Sequence, residues 1–202
     1  MTHRDRELTR RRLLELGLVL PPLAAIAARS DLLGGPALAA TPAIADEDEP
    51  TPVQTEGPYF SPNTPLRRTI VPTGARGTRL VLAGRVLDTR GRPVRRALLE
   101  FWQCDASGVY DNRGYRFRGH QFTDANGRYG LTTVVPGLYP GRTRHIHVKV
   151  QAPNAPVLTT QLYFPGVSRN RTDRIFDARL LVRRWRRVGN RRAARFDFVL
   201  DL

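Results

Sequence analysis

From Arg79 to the end of the chain, short apolar runs recur, and each is cut off by a turn signal before a helix of ordinary length could form. Leu80 to Asp88 is followed by Arg90-Gly91-Arg92-Pro93, and Ala97 to Trp102 comes next. The turn Asp124-Ala125-Asn126-Gly127 precedes Arg128 to Thr133, and Pro136-Gly137 ends that run. Ile146 to Gln151, Leu158 to Phe164 and Phe196 to Leu202 complete the series. Many short runs with Gly and Pro punctuation, and almost no 3.6-residue periodicity, predict an all-β chain. Its two apolar faces must cover one another, which gives a β-sandwich of short antiparallel strands with long loops.

Two stretches fall outside this pattern. Asp173 to Leu181 has room for one short helix or turn, and the arginine-rich stretch from Arg183 to Arg195 predicts a solvated loop. Trp185 would anchor that loop by packing or by arginine contact with its ring; a docking surface is the alternative. No repeat of fixed spacing is present.

The chain has 202 residues, enough for one domain with a hydrophobic core and a leader but not for two full domains. Its single cysteine, Cys104, excludes an internal disulfide and every cysteine-rich zinc pattern. The formal net charge is +15, and because Lys149 is the only lysine the excess is almost wholly arginine. A field of one sign attracts anionic partners, yet no reading helix or interleaved aromatic pattern accompanies it, so no nucleic-acid partner is expected.

Residues 1–39 read as a signal peptide. Arg10-Arg11-Arg12-Leu13-Leu14 leads into an apolar stretch from Leu16 to Ala28, with Ala37-Leu38-Ala39 as a cleavage site. The paired arginines suit export by the twin-arginine route, to a secreted, periplasmic or cell-surface location. Pro21-Pro22 interrupts the apolar stretch, which argues against an integral membrane span. Residues 40–78 then form an extended arm, rich in Pro, Asp, Glu and Thr between Thr41 and Pro65, and residues 79–202 form the sandwich domain.

His145-Ile146-His147 puts two imidazoles two residues apart on an expected strand, hence on the same face. Such a pair is often only polar decoration at a sheet rim. Pro136-Gly137-Leu138-Tyr139-Pro140-Gly141, a rigid turn just upstream, could hold Tyr139 near the same point.

Four segments together resemble the intradiol ring-cleavage dioxygenases, the family of catechol and protocatechuate dioxygenases. They are Glu56-Gly57-Pro58-Tyr59-Phe60, Phe101-Trp102-Gln103 through Gly108-Val109-Tyr110, Pro136-Gly137-Leu138-Tyr139 running into Arg142-Thr143-Arg144-His145-Ile146-His147, and Thr160-Gln161-Leu162-Tyr163-Phe164. The resemblance implies one non-haem Fe(III) per chain, held by Tyr110, Tyr139, His145 and His147. Hard anionic oxygen ligands suit a trivalent ion, and the metal charge lowers a phenol's pKa. It implies further that a small aromatic diol and O2 are the substrates, and that the ring is opened between its hydroxyls to a muconate-type diacid. Tyr139 would leave the metal and act as a base when the diol binds. Arg142 would stabilise negative charge on the ring with Gln161 beside it, and Tyr59 would line the mouth of the substrate pocket.

The sequence also departs from the family pattern. The usual Arg-Pro-Ala before His-x-His is Arg142-Thr143-Arg144, so Arg144 is expected to tune which ring substituents are accepted. The long helical region through which larger members dimerise has no counterpart, which leaves a homodimer open only by another face. Length and leader most resemble the small secreted branch of the family. Two rival readings remain. Gly84-Arg85-Val86 and Gly91-Arg92-Pro93-Val94 are also the wording of a transthyretin/prealbumin-like sandwich, which can serve as a non-catalytic binding module. Alternatively His120 could join His145 and His147 around zinc, although Arg118-Gly119-His120-Gln121 reads as a surface loop.

Overall fold

The computed structural model describes residues 49–202; the expected leader and the beginning of the arm lie outside the described residues. Nine strands follow the arm. They are β1 (Arg79–Asp88), β2 (Leu98–Trp102), β3 (Arg118–Phe122), β4 (Arg128–Val134), β5 (His145–Gln151), β6 (Val157–Tyr163), β7 (Arg183–Val188), β8 (Arg191–Arg195) and β9 (Phe198–Leu200). One sheet has the order β4-β1-β8-β7, with β9 also on β1, and the second has the order β3-β2-β5-β6. Among the described residues no helix is long and apolar enough to cross a membrane.

Period-two alternation builds the core between the sheets. On β1, Leu80, Leu82 and Val86 are buried and point inward, while the residues between them face out. Leu99, Phe101, Ile146, Val148, Val150 and Leu162 meet them from the second sheet in one contiguous cluster. Each fully buried side chain of this size contributes roughly 1.5–3 kcal/mol.

The expected all-β sandwich is borne out, with one refinement of its strand pairing and two corrections. β1 pairs antiparallel with β4 but parallel with both β8 and β9, so the sandwich is antiparallel-rich without being wholly antiparallel. Between those two pairings Phe196 O lies against Gly84, where a Cβ would sit 1.6 Å from it. Glycine is therefore required in a strand that would otherwise favour branched side chains. Arg183 to Arg195 is a hairpin of two strands rather than a loop; cross-strand hydrogen bonds hold it although arginine obscures any alternation. The segment Arg118 to Gln121, expected as a loop, is β3, paired along β2. The helix or turn expected within Asp173 to Leu181 is the single 3₁₀ turn Ala178–Leu180, and a second 3₁₀ turn, Ser168–Arg171, precedes it.

Register also sets the outer face of the second sheet. Trp102, His147 and Gln161 lie side by side on β2, β5 and β6, and His145 lies beside Tyr163 in the neighbouring row. These are polar or amphipathic groups, yet all five are buried, because the arm and the loops around residues 103–117 and 135–144 close over them.

Candidate metal centre

β5 supplies the two imidazoles. His145 and His147 project to the same outward face, and their Nε2 atoms are 3.1 Å apart. Thr143 O accepts a hydrogen bond from His145 Nδ1 at 2.7 Å, which fixes the tautomer and leaves the Nε2 lone pair directed at the centre. His147 lies flat against Trp102, with ring centres 4.8 Å apart and planes 6° from parallel. Its Nδ1 is buried with no hydrogen-bond partner among the described residues. Gly57 closes the other side of this ring. Its φ is +72°, and a Cβ there would come within 3.3 Å of His147 Cε1.

The two tyrosines come from loops that touch through glycines. A Cβ on Gly108 would meet Leu138 O at 2.3 Å, and one on Gly137 would meet Gly108 N at the same distance. Asp105 fastens the first loop. Its Oδ1 accepts from the amides of Ser107 and Val109, and its backbone oxygen accepts from Gly137 N in the second loop. Tyr110 is thereby brought to His145, with 3.2 Å between its hydroxyl and Nε2. The Tyr139 ring meets Tyr110 edge-on at 5.9 Å. Tyr59, from the arm, stacks on Tyr110 at 4.4 Å, and its hydroxyl is 2.9 Å from that of Tyr139.

Burial sets the charge states. It is the main cause that lowers the His145 pKa to about 4, with the Thr143 hydrogen bond opposing it. Burial and then repulsion from His145 push His147 well below the usual value. The Tyr110 phenol is raised, again chiefly by burial. Two neutral imidazoles thus converge with a protonated phenol, whose hydroxyl lies within hydrogen-bond distance of His145 Nε2. Two donors bound to one cation at about 2.1 Å and a right angle lie about 3 Å apart. The separations of 3.1 and 3.2 Å have that size, so the donor set fits a metal ion.

Arg142 is held beside this cluster on three sides. Its Nε donates to Asp173 Oδ2 at 2.9 Å, and its Nη2 donates to Gln161 Oε1 at 2.6 Å and to Tyr163 Oη at 3.3 Å. Gln161 is tied to the arm through Nε2 to Thr55 O. Asp173 also accepts from the amides of Thr143 and Ile175. Burial alone would raise its pKa, but these donors outweigh it and hold the carboxylate below its usual range.

All seven expected site residues are therefore gathered. Sequence reasoning missed Asp173, Tyr163 and Trp102 as part of the site, and it missed Arg118. The last is fully buried on β3, and it donates to Tyr59 O and Asp111 O, binding the arm to the loop that carries Tyr110. Trp102 could have been found, since it precedes the loop to Tyr110 at the register of His147. Arg144 Nη1 donates to Pro136 O at 2.5 Å, which ties down the Tyr139 loop. His120 does not join the pair. Its Nδ1 is engaged by Thr64 O at 2.7 Å, and no group of three His, Cys, Asp or Glu side chains able to hold a metal occurs among the described residues.

A sequence profile for the family described as Dioxygenase matches residues 55–202, which takes in the arm from Thr55 as well as both sheets. The chain belongs to the intradiol ring-cleavage dioxygenases. Within this family it is similar to the dioxygenase domain of a dioxygenase carbohydrate-binding protein fusion from Streptomyces sp. SirexAA-E. The two are 55% identical with a TM-score of 0.74, over 76% of this chain and 99% of that domain. The 3-chlorocatechol 1,2-dioxygenase of Rhodococcus opacus 1CP is 29% identical with a TM-score of 0.69, over 80% of this chain and 77% of that one. The protocatechuate 3,4-dioxygenase beta chain of Burkholderia cepacia is 39% identical over 108 residues, 45% of this chain and 46% of that protein. The chain spans about half the length of the curated relatives it matches, with 46% and 44% of the first two covered.

Proposed function

We propose that this intradiol-family chain is an exported non-haem Fe(III) dioxygenase that opens catechol-type aromatics between their two hydroxyls, consuming O2 and giving muconate-type diacids. The observation that carries the reading is the convergence of the His145 and His147 Nε2 atoms with the Tyr110 hydroxyl, at 3.1 and 3.2 Å, beside the Tyr139 ring. A transthyretin-like binding module would need neither the imidazole pair nor the tyrosines placed against it.

Tyr110, Tyr139, His145 and His147 would hold the ion. When bound, ferric iron would supply Lewis acidity and a template that fixes the diol through both oxygens and makes its ring reactive toward O2. The protein groups divide the remaining work. His145 and His147 are locked from behind by Thr143 O and by the Trp102 ring, so they stay in place. Tyr139 is only half-buried and sits in a loop, and its hydroxyl already has a second partner in Tyr59. It is therefore the group able to move aside, and as a phenolate it would take a substrate hydroxyl proton on Oη while Tyr59 steadies the displaced ring. Arg142 has Nε and Nη2 engaged, which leaves Nη1 to face negative charge developing on the ring oxygens. Gln161 fixes the plane of that guanidinium. Tyr59 forms one wall of the diol site.

The test is aerobic incubation of iron-loaded full-length protein with a panel of catechol, protocatechuate and hydroxyquinol, with products identified by mass and by cleavage position. Ring opening between the hydroxyls of at least one diol is expected. Cleavage beside the hydroxyls, or no product from any diol, would overturn the reading.

A further inference from the structure

The outer face of the first sheet, on the opposite side of the sandwich from the candidate metal centre, carries arginine in a regular array. On β1 the outward residues are Arg79, Val81, Ala83 and Arg85, because Leu80, Leu82 and Val86 point into the core. In register with them on β8 are Arg191, Ala193 and Arg195, and on β4 Arg128 stands opposite Arg85. On β7 Arg186 lies opposite Ala193 and Arg183 opposite Arg195. Residues that share a row or differ by two share a face, so seven arginines face outward together. Strand spacing separates neighbours by about 4.8 Å across the sheet and about 6.8 Å along it. The residues between them are small: Ala83, Ala193 and Gly130.

Among the described residues, carboxylates leave most of this array unneutralised. Among the described residues only Arg195 of the seven has an ion-pair partner, Asp197 at 3.0 Å. Arg79 is partly closed in, its Nη1 buried with no hydrogen-bond partner among the described residues, so the open part of the array is the other six. Like charges on adjacent strands repel, and a β-bulge between Arg183 and Arg186 re-aims that end of β7, with Arg184 at a φ of +52°. Protection of an exposed sheet edge explains charge on β7. It does not explain arginine on β1, which has β4 on one side and β8 on the other.

We infer that this face is a docking surface for an acidic polysaccharide, a linear chain whose repeated carboxylates meet the guanidinium rows. Planar guanidinium forks match carboxylates in pairs. The face lacks what other polyanions would use. Trp185 is half-buried against Phe164 and covered by Arg192, so no aromatic platform is offered to nucleic-acid bases. The one large apolar side chain exposed there is Val188, too little to enter a lipid surface. Binding would hold the protein at an anionic matrix with the metal centre turned away from it. The inference does not depend on the ring-cleavage reading.

The test uses full-length protein and polygalacturonate, with its fully methyl-esterified form as the uncharged control. Arg183→Gln/Arg186→Gln/Arg191→Gln removes three exposed charges from the face, and Arg95→Gln/Arg113→Gln/Arg116→Gln removes three exposed charges elsewhere. Wild-type protein is expected to bind the acidic polymer, more weakly as salt rises, and to ignore the ester. The face variant should bind about tenfold more weakly while the control triple stays within about twofold, the size expected from a few exposed pairs. If the face triple does not fold, Arg186→Gln and Arg191→Gln singly are each expected to weaken binding about twofold. Equal loss in both triples would make net charge the whole cause and overturn the inference. So would equal binding of the ester, or tighter binding of duplex DNA or anionic vesicles than of polygalacturonate.

Discussion

Asp173 is the group whose replacement tests the architecture of the site most severely, because its carboxylate serves three donors at once. Oδ2 accepts from Arg142 Nε at 2.9 Å and from Thr143 N at 2.8 Å, while Oδ1 accepts from Ile175 N at 3.2 Å. Its side chain is 1% exposed, against 19% for Arg142. Asp173→Asn keeps the shape and one acceptor but turns the other oxygen into a donor. If the amide nitrogen takes the Oδ2 place, it faces two N–H groups; if it takes the Oδ1 place, it faces Ile175 N. Either way at least one buried donor loses its acceptor, and the charge opposite Arg142 is gone. Hydrogen bonds to a charged group contribute about 1.5–3 kcal/mol each, and breaking a buried pair costs about 3–5 kcal/mol. Because Arg142 keeps Gln161 and some solvent, the lower part of that range applies, about 3 kcal/mol in urea unfolding of the metal-free protein. On the proposed reaction, a guanidinium free to shift by about 1 Å should lower kcat on the order of 10²-fold. KM should change much less, since Asp173 positions Arg142 and does not touch the diol. Asp173→Glu, which restores the charge but not the reach, should recover less than half of the lost stability. An Asp173→Asn protein with wild-type unfolding and wild-type kcat would refute the reasoning.

Three further outcomes follow from the same geometry. Gly57→Ala places a methyl group 3.3 Å from His147 Cε1 at a φ of +72°; it should destabilise the protein by about 1–2 kcal/mol and weaken metal uptake, measured by urea unfolding and metal titration, and unchanged values of both would contradict the account. For the metal-free protein, His145 has a folded pKa of about 4, below its unfolded value, so the unfolded chain binds the proton more readily. The neutral ring's contribution is therefore complete above about pH 6.5 and lost as pH falls toward 4, to the extent of about 3 kcal/mol. His145→Asn should flatten that part of an unfolding-versus-pH curve, and an unaltered slope would count against it. His120→Ala should leave metal content unchanged, because its Nδ1 is engaged by Thr64 O away from the pair; loss of metal, read by elemental analysis, would reopen a zinc site.

What the sequence discloses follows from which interactions are local. The shared face of His145 and His147 needs only the two-residue repeat of a strand, and the Gly108 and Gly137 contact is written into the segments that carry Tyr110 and Tyr139. Asp173 was hidden because it reaches Arg142 across 31 positions and its surroundings read as a turn. Arg118 was hidden for a like reason, since arginine in a polar run predicts exposure, whereas this one is buried by donating to the backbone of two loops. β3 went unseen because Gly119, His120 and Gln121 offer no apolar alternation. The hairpin of β7 and β8 went unseen because it is held by pairing with β1 rather than by an apolar face of its own. The parallel pairing of β8 and β9 with β1 brings Phe196 O against Gly84, a long-range contact that no local pattern announces.

The central claim is that Tyr110, His145 and His147, with Tyr139, form one ferric site. The most direct measurement is iron content and visible absorption of protein loaded with Fe(III), wild type beside Tyr110→Phe. The account predicts one iron per chain in the wild type, with a phenolate-to-iron charge-transfer colour. In Tyr110→Phe, whose hydroxyl 3.2 Å from His145 Nε2 is removed, most of that iron and colour should be lost. A colourless wild-type protein that takes up no iron, or a Tyr110→Phe variant with full iron and unchanged colour, would contradict it.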